Sequence, residues 1–244
     1  MSHPEVLEWV GQLIRRVRGW GYDYLKLDFL YLGASVGKRY RDMPREAAYR
    51  NALQVIREAA GDAYLLACGA PILPSLGLCD GIRVGPDVSP FWINKALTVW
   101  LNNPNDTSTQ KAIRTSLHRL WLTPLVHVDP DVSFFQSKHS ALRPHEKQLL
   151  QDLGLISGFK ATSDLPHWLK ASEREALWAF LEYSPEIHKT NRYQYQIENR
   201  SVDFSSAVPI PTSKMNLPVW LAKNIGLLKL IWYQALPAIL EGRA

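Results

Sequence analysis

Lys26 and Asp28 lie two residues apart in an otherwise apolar run from Tyr24 to Leu30. In an extended strand, residues two apart share a face, so the two charges point one way while Leu25, Leu27 and Phe29 point the other. A charged pair on a buried strand is costly unless it is partnered or used. That leaves a buried salt bridge or the floor of a site. Downstream, Cys68 precedes a Gly-Ala-Pro loop, Arg83 stands one helical turn ahead of Asp87, and His127, Asp129 and Asp131 alternate along a further segment. Asp28 and Asp87 are therefore two carboxylates, each with a cation close in sequence. This suits chemistry in which one carboxylate stays ionised as a nucleophile and the other delivers a proton, as in glycoside cleavage. Plain ion pairs, Lys26 with Asp28 and Arg83 with Asp87, are the structural alternative. The spacing of His127, Asp129 and Asp131 invites a metal reading, but no other histidine sits at ligand spacing, and supporting roles are the better expectation.

The elements that must position these residues alternate regularly. Apolar runs at 24–30, 63–67, 81–84, 125–128 and 155–160 read as strands. Helical spacing predicts helices over 4–20, 44–60, 91–101, 109–122, 144–153 (closed by Gly154) and 171–183. Alternation of this kind implies an α/β fold with parallel strands joined by helical crossovers. The chemistry-bearing residues fall at or just after the carboxyl ends of the strands, where parallel α/β folds place their sites. From Tyr183 the pattern changes. Residues 193–204 alternate as a strand or hairpin, Pro209-Ile210-Pro211 is a linker, and 217–240 reads as an amphipathic helix.

Composition narrows the class. The chain has 244 residues, 46% of them apolar, which is enough for a sizeable core. Nine tryptophans and ten tyrosines provide flat faces suited to sugar rings, although most are expected to pack in the core. A net charge of +5 with dispersed Lys and Arg gives little support to nucleic-acid binding. Cys68 and Cys79, the two cysteines, have no CxxC spacing, and the charged first 20 residues do not read as a signal peptide; cytoplasmic location is the expectation. For the 217–240 helix, packing against the domain or a neighbouring subunit is weighed above membrane-surface contact through Trp220, Lys223 and Lys229. Two lysines and a proline inside it argue against a spanning helix.

At this point the motifs resemble a known family. Tyr24-Leu25-Lys26-Leu27-Asp28-Phe29 resembles the strand-four nucleophile motif of the α-galactosidases of glycoside hydrolase family 36, the melibiase group. Cys68-Gly69-Ala70-Pro71, followed by Asp80-Gly81-Ile82-Arg83-Val84-Gly85-Pro86-Asp87, resembles that family's strand-five and strand-six segment, which ends in the acid/base aspartate. Val128-Asp129-Pro130-Asp131 and the segment from Ser157-Gly158 to Ser163-Asp164 look like strands seven and eight. The motifs occur in order over roughly residues 4–183, and the interval between Asp28 and Asp87 holds the two βα units required.

The resemblance implies a retaining double displacement. Asp28 is the nucleophile, and Asp87 is the acid and then the base. Lys26 and Arg83 hold sugar hydroxyls and keep Asp28 ionised, the Cys68 loop and Trp92 shape the pocket, and neither cofactor nor metal is called for. It also implies a partial (β/α)8 barrel of about five βα units over 1–188, with a C-terminal extension over 189–244. The segment matching the family starts just before strand four, without its β-domain, strands one to three or the sugar-binding groups they carry. Self-association that covers the open side is therefore expected, with the apolar tail as an alternative cover. The substrate implied is terminal α-linked galactose. The alternatives are a sugar-binding remnant that has lost turnover, and an α-N-acetylgalactosaminidase, which the Cys68 loop would decide.

Overall fold

The computed structural model describes residues 2–93 and 107–210. The expected tail helix at 217–240 and most of the helical region expected at 91–101 lie outside them. Helix α1 spans Pro4–Gly19, with the proline in its first turn, where no backbone N–H is needed. It packs on α2, Arg45–Ala60, which stops at Gly61. Strand β1, Tyr24–Leu27, precedes α2, and β2, Tyr64–Ala67, follows it. A short helix α3, Ile72–Ser75, leads to β3, Gly81–Arg83; α4, Thr109–Leu117, and a 3-10 turn at Leu120–Leu122 lead to β4, His127–Asp129. The four strands form one parallel sheet in sequential order, β1-β2-β3-β4.

Sequential parallel order requires each crossover to run over the same face. That face is apolar: Ile14, Leu25, Tyr49, Leu53, Ile56 and Leu65 form one buried cluster under β1 and β2, and Ile82, Val84, Leu122, Val126 and Val128 form another under β3 and β4. Arg18 fastens the end of α1 to the sheet through ion pairs to Asp23 and Asp62 and a bond to the Tyr22 carbonyl.

Two further helices, α5 (Pro144–Ser157) and α6 (Ala171–Glu182), precede an antiparallel sheet of β5 (Ile187–Asn191), β6 (Gln194–Ile197) and β7 (Arg200–Asp203). Tyr195, Ile197 and Val202 from this sheet, with Phe204 just after it, share a core with Ile113, Leu150, Leu153 and Phe180 from the helices. Arg200 also reaches the buried Asp152 of α5 with two nitrogens, at 2.8 and 2.6 Å.

The strand expected at 155–160 does not form, so the described parallel sheet has four strands rather than five. Helix α5 runs straight through Gly154 to Ser157 because Leu149, Leu150, Leu153 and Leu155 continue one buried surface. Gly154 is a packing residue inside the helix: a Cβ there would lie 2.9 Å from the Phe180 ring. The stop comes at Gly158, whose φ of 71° is the left-handed conformation favoured after a helix. Strand β4 begins two residues later than expected, since Leu122–Val126 close a turn through the Leu122 carbonyl. The β5 strand is absent from the sequence reading because four of its five residues are exposed and it lacks alternation.

Gly158→Ala should lower stability by about 1 kcal/mol, the cost of a Cβ in left-handed backbone. Urea denaturation measures this, and an unchanged midpoint would contradict the helix end described here.

Candidate active site

The face of the sheet opposite the apolar crossovers carries the polar residues, layer upon layer along the strand direction. At the amino ends, Tyr24 stacks on Tyr64 with ring centroids 5.3 Å apart and planes within 5°. The Tyr64 hydroxyl lies 3.1 Å from His127 Nδ1, and the His127 ring meets Phe159 edge-on. These rings form an aromatic floor. The tight layer explains Gly81, where a Cβ would stand 2.5 Å from the Tyr64 oxygen.

Above the floor, β3 and β4 pair so that Arg83 sits opposite Asp129. The Arg83 side chain is 7% exposed and its guanidinium meets three carboxylates: Nε to Asp129 at 2.8 Å, Nη2 to Asp131 at 2.7 Å, and Nη1 to Asp87 at 3.2 Å. Asp129 is fully buried and also accepts the Asp131 backbone N–H at 2.7 Å; Asp131 in turn accepts the Val88 N–H at 2.7 Å. Burial works against the charge on Arg83, but Asp129 and Asp131 outweigh it and raise its pKa. Burial pushes the Asp131 carboxyl up, against the pull of Arg83. One cation thus links β3, β4 and the loop carrying Asp87, whose own carboxylate is 76% exposed.

Asp28 is built differently. The chain leaves β1 and turns at Phe29, a non-glycine residue with φ of 54°. Left-handed backbone of this kind costs roughly 1–2 kcal/mol. The same turn has the Phe29 N–H on Asp28 Oδ1 at 2.7 Å. It also takes Phe29 off the buried face where strict alternation would put it; the ring is 60% exposed. The turn is tied to the next strand end, with Leu30 N–H on the Cys68 carbonyl at 3.2 Å and Tyr31 N–H on that of Gly69 at 2.6 Å. The Cys68 thiol completes the setting. Its hydrogen bond is the main cause holding the Asp28 carboxyl below the usual range, followed by the Phe29 N–H, with Lys26 and Arg83 adding to it. Burial, reinforced by Asp28, pushes the Cys68 thiol up to about 11, so it stays a neutral donor.

Lys26 and Asp28 make no ion pair among the described residues. Lys26 is exposed and lines a cavity of about 470 Å3 together with Tyr24, Arg83, Asp87, Asp129 and Asp131. The sequence-predicted residues Lys26, Arg83 and Asp87 therefore share one cavity, and Asp28 and Cys68 sit together on the neighbouring strand ends. Trp92 is placed elsewhere: it packs against the core cluster containing Val88, whose side chain also lines the cavity. Asp129 and Asp131 hold Arg83, and His127 lies against Tyr64. Among the described residues no group of three or more His, Cys, Asp or Glu side chains is arranged to hold a metal ion.

Sequence reasoning missed the wall-building role of Asp164. Its Oδ2 accepts the backbone N–H groups of Phe135 (2.6 Å) and Gln136 (3.3 Å), and the Ser133 N–H bonds the Ala161 carbonyl. These bonds clamp the two segments that supply Asp131, Val132, Ala161 and Ser163 to the cavity. The missed signal was an aspartate two residues after a threonine; Thr162 caps its N–H at 3.1 Å, as in a local turn.

No family model matches the chain. Among solved structures it is similar to TtGalA, the α-galactosidase from Thermus thermophilus, in complex with p-nitrophenyl α-D-galactopyranoside: identity is 46% and TM-score 0.78, covering 84% of this chain and 42% of that one. The same enzyme in complex with stachyose matches at 51% identity and TM-score 0.68, covering 74% of this chain and 38% of that one. The chain thus spans about two fifths of these structures. Its resemblance to family 36 α-galactosidases extends over most of its length, and its α/β fold with a parallel sheet matches part of the neighbour's TIM-type fold.

Two outcomes follow from the geometry. Arg83→Met should cost about 3–5 kcal/mol by stranding buried carboxylates. Burial holds the Asp131 carboxyl above its unfolded value, and more so once Arg83 is gone, so stability is lost as pH rises. The deficit should be larger at pH 7 than at pH 4 in chemical denaturation, and a deficit independent of pH would remove the carboxylate-pairing account. Cys68→Ala should move the Asp28 carboxyl upward, towards the ordinary range, while Cys68→Ser leaves it low. Carboxyl carbon NMR reads both, and no movement in the alanine variant would discount the thiol.

Proposed function

We propose that the chain carries the catalytic pair of a retaining α-galactosidase, acting on terminal α-linked galactose in oligosaccharides or aryl galactosides. In this reading Asp28 attacks the anomeric carbon and forms a β-galactosyl ester. Asp87 protonates the departing oxygen, then takes a proton from the water that cleaves the ester. The observation that carries the reading is the unlike treatment of the two carboxylates. Asp28 is fixed and held ionised by a thiol and a backbone N–H, which suits a nucleophile. Asp87 stands at the solvent side of the cavity on the outer nitrogen of Arg83, which suits a group that must exchange protons with water.

Lys26 has no ion-pair partner among the described residues, so its three N–H donors are open to sugar hydroxyls. Arg83 can offer a hydroxyl only the N–H groups its three carboxylates leave over, and its larger part is to orient Asp87. Cys68 contributes by holding Asp28, and Trp92 through the core cluster it shares with Val88. The TtGalA structures, solved with an aryl galactoside and with stachyose, support the substrate class. Self-association belongs to the same proposal: Tyr24, Phe29, Tyr31 and Leu32 are exposed beside β1, and among the described residues no strand pairs with its outer edge.

A second reading, sugar binding without turnover, is favoured by the openness of the cavity, where Tyr24 is half exposed and Asp87 more so. Hydrolysis of 4-nitrophenyl α-galactoside separates the two. The wild type should turn over, and Asp28→Ala should lose about 10³-fold or more in kcat. Azide should then restore product as the β-galactosyl azide with Asp28→Ala and as the α-galactosyl azide with Asp87→Ala, because azide replaces the nucleophile in one and the activated water in the other. Galactose binding with no hydrolysis by the wild type would establish the second reading instead.

A further inference from the structure

A second recess lies away from the catalytic cavity and shares no residue with it. It is about 380 Å3 in volume and sits between the C-terminal end of α4, the 3-10 turn after it, and the small antiparallel sheet. That volume falls within the usual range for small-molecule sites. Its walls combine aromatic faces with cations. Lys189 and Tyr195 are cross-strand partners on β5 and β6, and the Lys189 ammonium lies 6.0 Å from the centre of the Tyr195 ring. The Arg192 guanidinium lies 5.2 Å from the centre of the Tyr193 ring. Trp121 stands in the wall yet is 62% exposed.

The recess is also held in shape. His118 Nδ1 lies 2.7 Å from the Arg114 carbonyl, which only accepts, so Nδ1 carries the proton. Nε2 is then an acceptor and takes the Tyr193 hydroxyl proton at 3.1 Å. Tyr193 is thereby fixed, and with it the ring beneath Arg192. Neither Lys189 nor Arg192 has a carboxylate partner among the described residues, and no acidic residue lines the recess. Two cations placed over aromatic faces in a concave wall, without a counter-charge, favour an anion there. A guanidinium lying over a ring keeps its in-plane N–H fork free for a phosphate. The open indole of Trp121 offers the stacking face that a sugar ring takes.

We propose that this recess binds a phosphorylated hexose, with the phosphate on Lys189 and Arg192 and the ring against Trp121. The proposal is independent of turnover at Asp28. Glucose 6-phosphate is the probe, titrated calorimetrically into the full chain. The expected dissociation constant is ~1 mM or below, with inorganic phosphate and glucose each at least about tenfold weaker. Lys189→Gln with Arg192→Gln, which keeps the stems over the tyrosines, should weaken binding about tenfold or more, as should Trp121→Ala, with melting temperatures unchanged. Asp28→Ala should leave binding as it is. The proposal is overturned if the probe gives no heat at 10 mM, if the double glutamine variant binds as the wild type does, if phosphate alone binds as tightly as the sugar phosphate, or if Asp28→Ala abolishes binding.

Discussion

The site depends on one buried cation. Arg83 is taken almost wholly out of water, which is tolerable only because the fully buried Asp129 and the nearly buried Asp131 meet it on two of its nitrogens. Asp129 belongs to β4, Asp131 to the turn after it, and Asp131 reaches back to the Val88 backbone just beyond Asp87. The ion network therefore fixes the distance between two strands and the course of the loop that presents Asp87. Arg83 also contributes, from further away, to keeping Asp28 ionised. The aromatic floor and the Asp164 clamp act around this network, closing the bottom of the cavity and holding its far wall.

Within that frame the two aspartates become chemically unlike for local reasons. Asp28 receives a thiol and a backbone N–H, and the chain next to it takes a backbone angle that a phenylalanine adopts only at a cost. Strain of this kind is retained where neighbouring contacts impose it. Here they do, because Leu30 and Tyr31 are bonded to the Cys68–Gly69 segment, in which Gly69 is itself left-handed. Asp28 and Asp87 are both exposed, but Asp87 is held by Arg83 instead of by a thiol and an N–H. The difference is one of surroundings, which is the usual way a single fold assigns two carboxylates to different tasks.

Much of this was legible in the chain. The alternation of apolar runs and helical periods exposed the βα order, and alternation along β1 placed Lys26 on the open face. The same reading failed at residues 155–160. Leu155 and Ile156 extend an apolar helix surface as readily as they start a strand, and Gly154 resembles a helix stop unless Phe180 is known to lie against it. Phe29 was assigned by strict alternation to the wrong face, because a left-handed turn leaves no mark in a phenylalanine. The partners of Arg83 were invisible for a simpler reason. Asp87 is close in sequence, but Asp129 is 46 residues away, and nothing local says that β3 and β4 are neighbours.

That separation has a consequence for how the protein is made. The β1–α2–β2 unit, which brings Asp28 to Cys68, is local and can form while the rest of the chain is still being synthesised. Arg83 must wait for Asp129 and Asp131. At roughly 5–20 residues per second the 46 residues between Arg83 and Asp129 take about 2–9 s to emerge. Throughout that interval the arginine cannot be buried at acceptable cost and stays hydrated. The surroundings of Asp28 are therefore complete first, and the position of Asp87 is set only when β4 docks.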